Sequence, residues 1–283
     1  MSQPLETTRP YAEVIGDPIS HSKSPTIHGF WLARLGIDAD YRACRVLPGE
    51  LDDYFARRRA DPAWRGCNVT IPHKEKVQPY LDQLDEKARA IGAVNTVFKD
   101  GNGLLVGTNT DVDGVDEALD GLELQGQEVC VIGAGGAARA AFAALARRRC
   151  ASVFVLARNP QKAVKVAESC GVFAVGVAFE SGSPAFCEAM LLVNATQLGM
   201  VGQERMPAFV LSQIGELAQG ALVFDMVYAP LETDLLAAAR RKGFATADGL
   251  VMLIGQAASA FSCFFGRSPP RECDAELRGL LTE

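Results

Sequence analysis

VCVIGAGGAARAAFAALA, Val129 to Ala146, sets a short apolar run, a glycine turn and a long apolar helix in immediate succession. Val129 to Ile132 has the composition of a strand buried on both faces of a parallel sheet. Gly133 and Gly135 allow the tight turn that follows, and Ala138 fills the third place of a GxGxxA pattern, where close helix-on-strand packing needs only a small residue. At Gly135 the missing side chain lets the backbone approach a pyrophosphate, whose charge sits at the positive end of the helix. A second apolar run, SVFVLA from Ser152 to Ala157, follows the helix. Strand, glycine turn, helix and strand in that order read as the opening of a dinucleotide-binding unit, where a lone glycine pattern would read as any strand-to-helix turn.

Working outward, the same alternation continues. Val172–Val177, Leu191–Asn194 and Leu222–Asp225 read as further strands and Thr233–Lys242 as a helix, which makes a doubly wound sheet. On the N-terminal side, strands are expected at Tyr11–Gly16, Tyr41–Val46 and Cys67–Thr70, with helices through Trp31–Leu35 and Leu51–Arg59. That order implies a separate α/β domain. DGNG at Asp100–Gly103, between Asn95–Lys99 and Leu104–Thr108, is a hairpin signal. NTDVDG, Asn109 to Gly114, then leads into a helix to about Leu122, with Asp111 near the domain junction. The chain of 283 residues is long enough for two such domains.

Composition narrows the chemistry. A net charge of −6 disfavours nucleic acid or an anionic membrane as the principal partner and favours a small molecule. The eight cysteines are scattered without a CxxC pair, which fits reduced thiols in a cytoplasm. MSQPLETTRPYAEV lacks the apolar core of a signal peptide. Gly249–Gly266 carries no charge, but Gln256, Ser259 and Ser262 argue for a helix buried against protein rather than a membrane span. His21, His28 and His73 do not have metal-ligand spacing, there is no HExxH, and no metal is expected. The absence of a GxSxG elbow leaves nucleophilic hydrolysis without support.

A dinucleotide site implies hydride transfer, and a carbonyl that receives hydride needs a proton at its oxygen. VTIPHK, Val69 to Lys74, leaves the third strand and delivers Lys74 at its carboxyl end, the edge at which open α/β sheets bind ligands. Lys74 and Asp111 are therefore candidates, although a lysine after a strand is by itself more often a solvated surface charge.

The motifs together resemble the shikimate dehydrogenase family, which includes quinate-active members, over nearly the whole chain. They are SKSP at Ser22–Pro25, NVTIPHK at Asn68–Lys74, GAVNT at Gly92–Thr96, NTD at Asn109–Asp111 and GAGGAARA at Gly133–Ala140. NATQLGM at Asn194–Met200, DMVYAPLET at Asp225–Thr233 and GLVMLIGQAA at Gly249–Ala258 complete the set. The resemblance implies an N-terminal substrate-binding domain (residues 1–110, completed by 249–283) and a Rossmann-type NADP-binding domain (111–248), with the active site in the cleft between them. It implies reversible NADP-linked reduction of 3-dehydroshikimate to shikimate, with Lys74 and Asp111 as the catalytic pair. An ammonium polarises the carbonyl and stabilises the developing alkoxide, while a carboxylate orients it and shares the proton.

By the same resemblance, the substrate carboxylate is bound by Ser22, Ser24 and Tyr228, and the ring hydroxyls by Asn68, Thr70, Asn95, Asp111 and Gln256. Read without the family, each of these residues is better explained as a turn or cap residue. Cofactor contacts are expected at Gly133, Ala134, Gly135, Gly136, Ala137, Arg158, Asn194, Thr196, Met226, Gly249 and Met252. The chain departs from the pattern in two places. Ala157-Arg158-Asn159 replaces the usual NRT, keeping the arginine for a 2′-phosphate, with no acid to clasp a free ribose hydroxyl, so NADP is favoured over NAD. NTDVDG replaces NTDGxG, adding Asp113, which is expected as a cap or first-turn acid. The alternatives are a dual quinate/shikimate dehydrogenase and a non-catalytic ligand-binding relative; the presence of Lys74 and Asp111 disfavours the latter. A monomer or homodimer is expected.

Overall fold

Runs of β-branched and apolar residues alternate with amphipathic segments from Tyr11 to Ala247, and the computed structural model, which describes residues 9–179 and 184–282, turns each run into a strand of one of two sheets. Residues 1–8, which open the stretch read above as lacking a signal peptide, lie outside the described residues. The chain folds as two compact units, residues 1–110 with 257–283, and residues 111–256.

The first unit holds strands β1 (Tyr11–Gly16), β2 (Asp40–Arg45), β3 (Trp64–Val69), β4 (Gln83–Leu84), β5 (Thr96–Lys99) and β6 (Leu105–Thr108). Its helices are α1 (Ser24–Leu35), α2 (Leu51–Ala60) and α3 (Glu86–Ile91). The sheet order is β2-β1-β3-β5-β6-β4. β1 runs parallel to β2 and β3, whereas β5 is antiparallel to both β3 and β6. The DGNG hairpin thus forms as expected, and it brings Thr96 opposite both Asn68 and Thr108. β3 starts at Trp64, earlier than the apolar run suggests. Arg65 is the exposed residue of its alternation, and at Gly66 an added Cβ would lie 2.4 Å from the Val97 carbonyl, so only glycine fits this close approach. Trp64, Tyr54, Phe55 and Val97 are among the side chains buried in the core on this sheet.

The second unit begins with α4 (Asp111–Ala118), followed by β7 (Glu128–Ile132), α5 (Gly136–Arg147), β8 (Ser152–Ala157), α6 (Pro160–Ser169) and β9 (Ala174–Ala178). β10 (Leu191–Asn194), α7 (Ala208–Gln213), β11 (Leu222–Asp225), α8 (Asp234–Arg241) and β12 (Ala245–Ala247) complete its alternation. All neighbours are parallel, in the order β12-β11-β10-β7-β8-β9. Counted from β7 this is 3-2-1-4-5-6, the doubly wound order, and it reverses between β7 and β10.

The uncharged stretch forms α9 (Gly249–Phe265), and α10 (Asp274–Thr282) follows it. Among the described residues no helix is long and apolar enough to cross a membrane. Phe261 and Phe264 pack around His28 of α1, and residues 257–283 fall in the first unit. The division falls inside α9, however, and places 249–256, expected with the first domain, in the second unit. Contact explains this: a Cβ on Gly249 would meet the Met226 carbonyl at 2.4 Å, and one on Gly114 would meet the Met252 carbonyl at 2.4 Å.

Candidate active site

In the first unit the polar residues singled out by sequence gather at one edge of the sheet, for a topological reason. The parallel strands β1 and β3 end there, and the antiparallel pair places the start of β5 and the end of β6 at the same edge. Ser22 and Ser24 lie on the loop after β1 and at the start of α1, where the Ser24 N–H donates to Ser22 Oγ at 3.3 Å. Asn68 is buried within β3. Its Nδ2 donates to Thr96 Oγ1 at 2.9 Å, and its Oδ1 accepts from the Tyr41 hydroxyl at 2.6 Å. Asn95, also buried, accepts from the Thr110 N–H at 2.7 Å and donates to Thr110 Oγ1 at 3.0 Å. Thr70 is half-buried, its backbone N–H bonded to the Ile15 carbonyl at 2.9 Å.

Lys74 is half-buried on a segment whose backbone is pinned on both sides. Its carbonyl accepts from the Val94 N–H at 2.8 Å. The neighbouring His73 is fully buried with Nε2 2.7 Å from the Val46 carbonyl, and its own carbonyl accepts from the N–H groups of Lys76 and Val77. Such anchoring fixes where the Lys74 stem begins, and a positioned ammonium is what proton delivery requires.

Asp111, Tyr228 and Gln256 belong to the second unit. Asp111 is the buried first residue of α4, where the helix N-terminus stabilises its carboxylate, and Asp113 takes its expected place in the same first turn. Tyr228 is exposed after β11. Gln256 is half-buried, and its Nε2 donates to the Leu253 carbonyl at 2.8 Å, one turn back in α9.

Of the residues expected to contact a cofactor, Gly133 to Ala137 follow β7 and Asn194 and Thr196 lie at the end of β10, the two strands between which the order reverses. Gly133 leaves β7 with φ 99°, a conformation that favours glycine, and an added Cβ would lie 2.6 Å from Thr196 Cγ2. Gly135 caps α5 and Gly136 and Ala137 open it, with no acid in the first turn. A Cβ on either Gly135 or Gly136 would meet nothing within 4 Å. Ala134 is half-exposed beside them, while Ala138 is fully buried as the packing residue of the fingerprint. An exposed, glycine-lined helix N-terminus free of acid fits a pyrophosphate.

Across the switch point, Thr196 donates to Asn194 Oδ1 at 2.7 Å and accepts from the Leu198 N–H at 3.1 Å. Asn194 itself is fully buried, with Nδ2 on Asp225 Oδ1 at 2.9 Å and on the Leu198 carbonyl at 3.1 Å. Its side chain is therefore engaged inside the fold and braces Thr196. Burial raises the carboxyl pKa of Asp225, while Thr233, Val227 and Asn194 donate to it. The half-buried Met226 donates its N–H to the Asn194 carbonyl at 3.0 Å, Gly249 is buried against it, and Met252 is half-buried on α9. Arg158 is exposed immediately after β8, and Asn159 caps α6 by accepting from the Lys162 N–H at 3.0 Å. That capping bond explains how asparagine is accommodated one place after the arginine.

Thr96, Thr110 and His73 are residues of this edge to which the sequence reading gave no role in the site, and Tyr41, near the start of β2, reaches Asn68 through its hydroxyl. Thr96 stood inside the quoted GAVNT motif, Thr110 inside NTD and His73 inside NVTIPHK, so a signal existed for all three.

Three family models match the chain: the shikimate dehydrogenase substrate binding domain over 14–97, shikimate / quinate 5-dehydrogenase over 116–199, and the shikimate 5'-dehydrogenase C-terminal domain over 249–276. Shikimate dehydrogenase (NADP(+)) of Sphingopyxis alaskensis is 48% identical over 281 residues, 99% of each chain. Among solved structures, shikimate 5-dehydrogenase from Thermus thermophilus, in complex with NADP(H) and shikimate, is 36% identical with a TM-score of 0.82, covering 96% of this chain and 99% of that one. The enzyme from Listeria monocytogenes, in complex with shikimate and NAD, is 31% identical with a TM-score of 0.85, covering 99% of each.

Proposed function

This chain belongs to the shikimate dehydrogenase family, and from that premise we propose that it interconverts 3-dehydroshikimate and shikimate with NADP(H), in the cytoplasm, as a monomer or homodimer. The observation that carries the reading is the clustering of Ser22, Ser24, Asn68, Thr70, Lys74 and Asn95 at one sheet edge in a chain that matches its relatives end to end. Eight free cysteines suit a reducing compartment.

NADP(H), when bound, supplies or accepts the hydride. Gly133 to Ala137 would hold its pyrophosphate at the N-terminus of α5, where Thr196 lies under the turn and Asn194 braces Thr196. Arg158 would pair with the 2′-phosphate, since a guanidinium forks onto phosphate oxygens and no acid at 157–159 is present to clasp a free ribose hydroxyl. Met226, Gly249 and Met252 would complete the cofactor contacts.

In the reductive direction the Lys74 ammonium donates its proton to the carbonyl oxygen as that oxygen gains charge, and in the oxidative direction Lys74 takes the proton back. Asp111 orients the reacting oxygen and shares the proton with Lys74. Ser22, Ser24 and Tyr228 hold the substrate carboxylate, while Asn68, Thr70, Asn95 and Gln256 hold ring hydroxyls. Hydroxyls orient a carboxylate without the permanent counter-charge an arginine would impose.

The test is a matrix of shikimate and quinate, each with NADP⁺ and NAD⁺. The reading expects shikimate with NADP⁺ to give the highest kcat/KM. Comparable turnover of quinate would make the chain a dual-specificity enzyme, and no turnover of either acid would refute the activity.

A further inference from the structure

Asp225 ends β11 as a fully buried carboxylate, and its hydrogen-bond donors among the described residues are all neutral. Oδ1 accepts from Asn194 Nδ2 at 2.9 Å and from the Val227 N–H at 3.0 Å, while Oδ2 accepts from the Thr233 hydroxyl at 2.6 Å. A charge taken out of water without a counter-ion is tolerated only where hydrogen bonds match it, and each such bond costs more to break than one between neutral groups. The donors around Asp225 are held stiffly for that reason.

Where those donors lie gives the carboxylate a second use. The segment 226–233 joins β11 to α8 and carries Tyr228, with Val227 near its start and Thr233 at its end. One side chain thus ties the segment at both ends. Thr233 also caps α8 by accepting from the Leu236 N–H at 3.3 Å, so the far tie fixes the segment to the helix as well. The remaining donor, Asn194, accepts from the Thr196 hydroxyl at 2.7 Å, and Thr196 lies against Gly133. Tyr228 is exposed, so the backbone of its segment, more than packing of its ring, decides where the phenol hydroxyl is presented.

From these bonds we infer that Asp225 is a positioning residue, whose carboxylate clamps the segment carrying Tyr228 at both ends and sets it against the turn formed by Asn194 and Thr196. Asp225 acts through Tyr228 rather than on the ligand. The inference rests on the proposed role of Tyr228 as a reader of the substrate carboxylate.

Steady-state kinetics of Thr233→Val test it, since valine keeps the shape and removes the hydroxyl that closes the far end. The KM for shikimate should rise by about 5-fold or more, bounded by the roughly 10- to 100-fold expected for losing the Tyr228 hydroxyl outright in Tyr228→Phe. The kcat should stay within about 3-fold, because the clamp serves a carboxylate remote from the hydride. In the Thr233→Val background, Tyr228→Phe should cost at least about 3-fold less in KM than it does in the parent, because a hydroxyl already displaced has less to lose. Thr233→Ser, which keeps the hydroxyl, should restore a KM near that of the parent. A merely structural role would lower the melting temperature of Thr233→Val and leave the KM where it was.

Should Thr233→Val fail to fold because Oδ2 is left buried and unmatched, Thr233→Ala carries the same expectations, since the smaller side chain leaves room for a water at that oxygen. An unchanged KM for shikimate in a folded Thr233→Val or Thr233→Ala, or additive effects with Tyr228→Phe, would overturn the inference while leaving the dehydrogenase reading intact. A parental KM in Tyr228→Phe would overturn it by removing the role of Tyr228 on which it rests. Absence of shikimate turnover in the parent would overturn the inference and the dehydrogenase reading together.

Discussion

Gly133 and Gly135 stand two residues apart in the same turn, yet alanine should damage them in opposite ways. Gly133 has φ 99°, and an L-residue held there costs about 1 to 2 kcal/mol. Its new Cβ would also lie 2.6 Å from Thr196 Cγ2. Thr196 has little freedom to retreat, because its hydroxyl is held by Asn194 Oδ1 at 2.7 Å and by the Leu198 N–H at 3.1 Å, and Asn194 is tied in turn to the buried Asp225. Relieving the clash breaks at least one of these bonds, for about another 1 kcal/mol. Gly133→Ala should therefore destabilise the second unit by roughly 2 to 3 kcal/mol and lower its melting temperature by roughly 4 to 12 °C. Gly135, with φ −83° and ψ −166°, is in extended backbone open to alanine, and its Cβ would touch nothing within 4 Å. Alanine there restricts the unfolded chain and stabilises by about 0.4 to 1 kcal/mol. The same methyl stands at the helix N-terminus where the pyrophosphate is proposed to lie, so the Kd for NADPH should rise by about 10-fold or more. Thermal melts and titration by nicotinamide fluorescence, run on both variants, separate the two effects. A Gly135→Ala protein that binds NADPH as tightly as the parent would refute the placement of the pyrophosphate on this turn.

Lys74→Ala should lower kcat by about 10² to 10⁴-fold with shikimate still bound, and a near-parental kcat would remove Lys74 from the mechanism. Arg158→Ala should raise the KM for NADP⁺ far more than that for NAD⁺, because only the former carries a 2′-phosphate; equal losses would assign the arginine a structural role. Stability should also depend on His28, whose burial depresses its pKa from 6.5 to about 3. Between these values the unfolded chain binds the proton and the folded chain does not, so stability is full above about pH 6.5 and falls with acidification by up to about 1.4 kcal/mol per pH unit. His28→Phe, which keeps an aromatic ring against Tyr41, should flatten that part of the pH–melting curve; an unchanged slope would show that other groups set it.

How much of this was legible in the sequence depended on whether a residue's neighbours in space are also its neighbours in the chain. The β7–turn–α5 unit is local: an apolar run, glycines at fixed spacing and an alanine-rich helix specify one another within a single stretch, and β8 could be read to the residue from Ser152–Ala157. β4 and β12 escaped notice because Gln83–Leu84 and Ala245–Ala247 are too short to carry a period, and they form only because β6 and β11 offer edges to pair with. The motif residues at the first sheet edge were legible through the family resemblance, which records spacing but not contacts. Contacts are what change the reading of Asn194 and Tyr41. Asn194 lies in a cofactor motif, yet its amide is committed to Asp225, Leu198 and Thr196, so it shapes the turn from within. Tyr41 lies in an ordinary strand pattern. Its hydroxyl finds a partner only when β1 pairs with both β2 and β3, because that pairing brings the β3 asparagine, Asn68, within 2.6 Å of the phenol. A hydroxyl near the start of a strand carries no mark of which partner will be folded against it, and so the bond from Tyr41 to Asn68 is a property that only the tertiary structure holds.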